Sequence, residues 1–290
     1  MLKNAVIALL VATLPSLAAV IGPATAKDSS ECPRGALYAG LSETEKKDCL
    51  DPLSQAAGPD DKKESNSAAT AAAQESITRA PGFTYVFQRP ENPSGETIIL
   101  LHGSGGNETS MFRLASRIAP HATLLGVRGR IVQKGVKRWY ARITPTEFDQ
   151  DDIRKESRAL ADFLQEKIAT ERLDPNRVTF IGYSNGANLI AAMTLLHPGL
   201  IHRAVLLRAM PVLSVVPPVD LRRSRFLTVA GKKDKVYGPF APALEALLRD
   251  RGATVDSHAI QTGHLLGDED IKVVSEWLSA AETTITETSR

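Results

Sequence analysis

Hydrophobic positions along this chain alternate between two rhythms from about residue 83 to residue 280. Short runs rich in Val, Ile, Leu and Phe, bounded by Gly, Pro or charged residues, predict strands at 83–88, 97–101, 122–127, 178–182, 204–207, 226–230 and 254–260. Between them, helical spacing predicts helices at 110–118, 152–170, 187–196, 242–250 and 269–280. The helix opening at Asp152 has the clearest pattern, because Ile153, Leu160, Phe163, Leu164 and Ile168 share one stripe and acids occupy its first turn. Strands alternating with helices predict an α/β architecture: a mostly parallel, doubly wound sheet with helices on both faces. Connections after residue 184 are short, so no large lid domain is expected, and the loop 210–216 is a candidate apolar wall for an open groove.

Before residue 79 the pattern changes character. Lys3 precedes an apolar stretch from Ala5 to Ile21, and Ala24-Thr-Ala26 supplies small residues for a cleavage site. This predicts a signal peptide over 1–26, cut after Ala26, and export to the periplasm or beyond with no membrane span left behind. Residues 27–53 form a short extension that carries both cysteines, Cys32 and Cys49. An oxidising compartment favours their pairing, which on the chain-entropy model constrains the unfolded chain by about 3 kcal/mol. Residues 54–78 are poor in large apolar side chains and read as a linker; the main α/β domain is expected over 79–282, followed by a polar tail over 283–290.

The 35 basic and 33 acidic residues nearly cancel, which offers no footprint for nucleic acid or an anionic membrane surface. The arginine-rich runs at 128–138 and 222–225 read as solvated loops. Six histidines and two cysteines show no metal-ligand spacing, and no phosphate-binding loop is present.

Chemistry enters at Gly182-Tyr-Ser-Asn-Gly186, placed between an apolar strand and an apolar helix. That is the context of a nucleophile elbow, with Ser184 as the nucleophile and the backbone N–H of Asn185 as an oxyanion donor. Asp234 follows the strand at 226–230, and His264 sits on a glycine-hinged loop after the last strand. Asp256 and Asp220 are the alternative acids; His258 and His202 are the alternative bases. His102, beside the glycine-rich turn at 103–106, is expected to support that turn.

These motifs resemble the phospholipase/carboxylesterase branch of the α/β-hydrolases, which also contains acyl-protein thioesterases and small esterases linked to hydroquinone resistance. The matching residues are Leu101-His-Gly-Ser-Gly-Gly106, Val127-Arg-Gly129, 148–163, Gly182-Tyr-Ser-Asn-Gly-Ala-Asn188, Ala230-Gly231 with Asp234, and Gly263-His264. Relatives often carry Pro after the acid and an acid after the double glycine, where this chain has Lys235 and Asn107. The resemblance implies a Ser184–His264–Asp234 triad, a second oxyanion N–H from Ser104, a small ester substrate and no cofactor. A thioester, a lactone, or a binding function without catalysis are the other readings of the same groove.

Overall fold

The strand-like runs assemble into one sheet. In this computed structural model, which describes residues 77–288, the strands in chain order are β1 (Ile77–Arg79), β2 (Thr84–Gln88), β3 (Thr97–Leu101), β4 (Thr123–Arg128), β5 (Ile131–Gln133), β6 (Val136–Arg138), β7 (Val178–Tyr183), β8 (Arg203–Leu207), β9 (Arg225–Gly231) and β10 (Thr254–Ile260). The helices are α1 (Phe112–Ile118), α2 (Gln150–Thr170), α3 (Asn185–Leu196), α4 (Ala241–Arg249) and α5 (Asp268–Thr288). The expected signal peptide, the extension with Cys32 and Cys49, and the linker up to residue 76 lie outside the described residues.

Seven strands pair in the order β10-β9-β8-β7-β3-β4-β2, all parallel except β2, which runs antiparallel to β4. The α/β sheet expected from the alternation is therefore present. A parallel strand needs apolar residues on both faces, and β3 supplies them: Ile98 and Leu100 enter one layer, Ile99 and Leu101 the other. The first layer is closed by Met111, Ala115 and Ile118 around α1 and by Val274, Trp277 and Leu278 of α5. On the opposite face Ile153, Leu160 and Leu164 of α2 pack with Leu189 and Ile190 of α3 and Leu244 and Leu248 of α4. Each fully buried side chain of this kind contributes roughly 1.5–3 kcal/mol.

Helix α2 starts two residues ahead of expectation, because the Asp149 side chain accepts from the backbone N–H groups of Asp151 and Asp152 and caps it. Helix α5 runs on to Thr288, where a polar tail was expected.

A second, three-stranded sheet, β1-β5-β6, has no counterpart in the sequence reading. Its hairpin turns at Lys134-Gly135, both with positive φ (50° and 74°), the two-residue turn whose twist matches paired strands. This sheet corrects two expectations. Residues 77 and 78, expected in the linker, open a strand, and Arg128 and Arg130 are committed to ion pairs and Arg138 to the Ser104 hydroxyl instead of being solvated. Arg128 Nη2 donates to Glu108 Oε1 at 2.6 Å, while Arg130 Nε and Arg79 Nε reach the two carboxylate oxygens of Glu156 at 2.9 and 2.7 Å. Arg79 also pairs with Asp152. Glu156 is 1% exposed, so the small sheet is fastened to α2 through a buried carboxylate.

Removing that carboxylate leaves the Arg130 guanidinium without a counter-charge and Arg79 with Asp152 alone. Glu156→Ala is expected to destabilise the protein by about 3–5 kcal/mol, read from the shift in urea midpoint. A change within 0.5 kcal/mol, the range of about ordinary surface substitutions, would show that the pairs make no net contribution.

Candidate active site

Ser184 occupies the turn between β7 and α3 with φ 49° and ψ −114°, a conformation that side-chain-bearing residues rarely adopt. The backbone is held there from both sides: Ser184 N–H donates to the Leu207 carbonyl at 2.8 Å, and its own carbonyl accepts from Asn188 N–H at 2.9 Å. The glycines are dictated by space. A Cβ on Gly182 would lie 2.6 Å from Ile190 Cδ1 and 2.7 Å from the Ala187 backbone, and one on Gly186 would strike the carbonyls of Leu101 and His102.

Asp234 and His264 arrive from the adjacent strand ends. Strand β9 finishes at Gly231, and Asp234 closes the next turn with Oδ1 accepting from Tyr237 N–H at 3.0 Å and Val236 N–H at 3.2 Å. Its Oδ2 lies 2.6 Å from His264 Nδ1, and His264 Nε2 lies 2.9 Å from Ser184 Oγ. With a carboxylate facing Nδ1, the imidazole proton belongs there, which leaves Nε2 to accept the serine hydroxyl. Burial opposes the Asp234 charge, but the hydrogen bonds from His264 and from the Tyr237 and Val236 backbone outweigh it and hold the carboxyl below its ordinary range. The rings of Tyr183 and Tyr237 flank the imidazole at centroid distances of 5.4 and 4.9 Å.

The alternative acids and bases stand elsewhere. Asp256 engages Arg225 and the Trp277 indole N–H, and Asp220 pairs with Arg222 at the surface. His258 is exposed on β10, and His202 precedes β8, at the sheet edge opposite Ser184.

Asn185 opens α3, so its N–H has no acceptor four residues back and faces outward from the helix end. Its side chain is occupied, since Oδ1 accepts from Trp139 N–H at 2.8 Å. Ser104 follows β3, and its Oγ accepts from Arg138 Nη1 at 2.9 Å. His102 braces the same turn: Nδ1 meets the Gly103 carbonyl at 2.6 Å, and Nε2 accepts from Gly129 N–H at 3.0 Å. That pair of partners fits only the neutral ring with its proton on Nδ1.

One supporting residue gave no sequence signal beyond a lone charge inside an apolar run. Arg208 is fully buried at the end of β8, also with positive φ (55°), and forms a bidentate pair with Asp270 at 2.7 and 3.0 Å. The same guanidinium donates to the Gly263 carbonyl at 2.9 Å, Thr262 Oγ1 at 2.8 Å and the Leu265 carbonyl at 3.3 Å, gripping the loop on both sides of His264. The loop 210–216, a candidate wall, is instead packed connection: Met210 and Val212 belong to the core, and Gln150 bonds to Val212 and Ser214. The cleft at Ser184 is walled by Ser104, Arg138, Arg142, Phe148, Asn188 and Tyr237.

A mostly parallel sheet with Ser at the elbow after β7, Asp after β9 and His after β10 defines an α/β-hydrolase. Within that class, residues 84–216 match the family model described as phospholipase/carboxylesterase. The hydrolase MhqD of Bacillus subtilis is 32% identical over 189 residues, covering 65% of this chain and 94% of that protein. A crystal structure of a carboxylesterase from Mesorhizobium loti superposes with a TM-score of 0.67 at 48% identity, covering 68% of this chain and 94% of that one. A Bacillus cereus carboxylesterase gives 0.66 at 30% identity, covering 69% and 94%. This chain belongs to the phospholipase/carboxylesterase family and is a carboxylic ester hydrolase.

The brace at His102 carries a pH dependence. Burial, opposed by the hydrogen bond to Gly103, lowers its pKa from 6.5 to about 4. Between those values the unfolded chain binds a proton that the folded chain refuses, so the contribution is complete above pH 6.5 and is lost as pH falls toward 4. Its size is about 3 kcal/mol. Urea unfolding at pH 7 and pH 4.5 should show that drop, and His102→Gln, which has no proton to gain, should flatten it. An identical acid limb in the variant would remove His102 from the account.

Proposed function

We propose that this chain is an exported serine esterase that cleaves small or medium carboxylic esters through Ser184, His264 and Asp234. The observation that carries the reading is the unbroken hydrogen-bonded series from Ser184 Oγ through both nitrogens of His264 to Asp234. Ser184 Oγ attacks the acyl carbonyl while His264 Nε2 takes its proton. Asp234 keeps the ring in the required tautomer and stabilises the imidazolium. The carbonyl oxygen becomes an anion, and the backbone N–H groups of Ser104 and Asn185 receive it. His264 then protonates the departing alcohol, leaving an acyl group on Ser184, and water repeats the sequence to release the acid. Every proton taken is returned, so the cycle requires no cofactor.

The size of the substrate follows from the connections. Between Ser184 and His264 the chain passes through α3, β8, β9, α4 and β10 without an inserted domain. Among the described residues the cleft is roofed only by loops, which can desolvate a short acyl chain but not enclose a long one.

Ser184→Ala fits the elbow and is expected to lower turnover on a short-chain ester by a factor on the order of 10⁴–10⁶, with unfolding unchanged. Asp234→Asn is expected to cost on the order of 10⁴. A folded Ser184→Ala variant retaining most of its activity would eliminate the triad.

Export is proposed from the apolar leader and the Ala24-Thr-Ala26 site, and a Cys32–Cys49 bridge from the oxidising compartment beyond it. Intact-mass analysis of protein recovered from the periplasm or medium should give a chain beginning at Lys27 with one disulfide. Free alkylation of both cysteines without reductant would refute the bridge.

A further inference from the structure

The cleft that holds Ser184 is unusual in its charge. Arg138, Arg142 and Arg208 line it together with Ser104, Ser184, Asn185, Asn188 and Tyr237, and no carboxylate does. The Arg208 charge is offset by its bidentate pair with Asp270. Arg138 is 5% exposed, with Nη1 fixed on Ser104 Oγ beside the expected oxyanion position. Arg142 differs from the other two. Its backbone is locked, N–H donating to Gln133 Oε1 at 3.0 Å and the carbonyl accepting from Gln133 Nε2 at 2.7 Å, but among the described residues its half-buried guanidinium has no ion pair and no hydrogen bond.

Four other arginines withdrawn from solvent have an acid in contact: Arg79 and Arg130 on Glu156, Arg128 on Glu108, Arg208 on Asp270. The acids nearest Arg142 in sequence are engaged or face solvent. Asp149 caps α2, Asp152 accepts from Ala141 N–H and pairs with Arg79, and Glu147 is exposed. A guanidinium held in a cleft beside a nucleophile, with its donors unspent, is suited to a planar anion brought by the ligand.

Resting on the esterase reading above, we propose that Arg142, with Arg138 behind it, selects esters that carry a carboxylate, so that the substrate is the monoester of a dicarboxylic acid or the ester of a hydroxy acid. Arg142 is then a substrate-binding residue. It acts on the anion, remote from the bond that breaks, so its contribution appears in KM and kcat/KM and weakens with salt.

The test compares matched esters on the intact chain. Monoethyl succinate is set against ethyl butyrate for a carboxylate on the acyl side, and 4-acetoxybenzoate against phenyl acetate for one on the alcohol side. In at least one pair the anionic ester should have the higher kcat/KM, by about tenfold or more as expected for a charge-assisted contact. Arg142→Gln should collapse that ratio, Arg142→Lys should recover part of it, and added salt should lower it. Equal kcat/KM within both pairs, or a ratio unchanged by Arg142→Gln, overturns the proposal. A second measurement does not depend on turnover: saturation-transfer NMR of succinate with Ser184→Ala protein should show salt-sensitive binding that Ser184→Ala/Arg142→Gln loses. Absence of binding in Ser184→Ala also overturns it. Failure of the wild-type chain to hydrolyse any of the four esters, with succinate binding intact, would instead count against the esterase reading.

Discussion

The left-handed backbone at Ser184 is the constraint on which the site depends. For an L-residue such a conformation costs roughly 1–3 kcal/mol, and it persists because strands and helix on either side over-determine it. The Leu207 carbonyl takes the Ser184 N–H, and Asn188 N–H caps the Ser184 carbonyl. The arrangement also requires α3 to approach β3 so closely that residue 186 has no room for a Cβ against the Leu101 and His102 carbonyls. Close approach also serves the proposed oxyanion site. It brings the first N–H of α3 alongside the turn after β3, so that two backbone donors from different elements can face one oxygen.

Holding His264, the proposed base, is a separate problem, because it lies on a loop. The solution uses a buried ion pair where a hydrophobic contact would be too unspecific. Arg208 issues from the strand end beside the elbow and donates to three groups of the loop 262–265, while Asp270, at the start of α5, balances its charge and accepts from Gly267 N–H. Such a pair contributes little net stability against an apolar replacement, but it fixes direction. Gly231 tightens the same junction, since a Cβ there would meet the carbonyls of Gly263 and Thr262. Elbow, acid turn and base loop are therefore registered through β8 and β9, neighbours in the sheet.

The sheet was legible because both faces of a parallel strand are apolar, so runs such as 97–101 and 226–230 declare themselves without alternation. Ser184, Asp234 and His264 could be named because each follows such a run, and position after a strand end is what the fold uses. The small sheet was illegible for the opposite reason. Its strands span three residues each, Ile77–Arg79 is largely exposed, and the partners of Arg128, Arg130 and Arg138 are Glu108, Glu156 and Ser104, distant in sequence. The Lys134-Gly135 turn was its one local sign. Arg208 and Arg142 were hidden likewise: nothing near them in sequence distinguishes an arginine that is neutralised by Asp270 from one whose donors are unspent.

This difference between committed and uncommitted side chains also decides where the cleft can vary. Asn185 and Asn188 look out from the elbow helix toward the substrate, yet each carboxamide oxygen is spent on a backbone N–H, that of Trp139 and that of Met210. They hold the two walls in place, and a change at either would disturb a wall before it altered recognition. His102 is bound in the same sense, through Gly129 and Gly103. What remains adjustable is Arg142, Pro145, Phe148 and the ring of Tyr237, which line the cleft without anchoring the elbow. On the esterase reading, the scaffold confines the proposed chemistry to residues fixed by the sheet and leaves selection among esters to the rim of the cleft, where the positive charge of Arg142 stands.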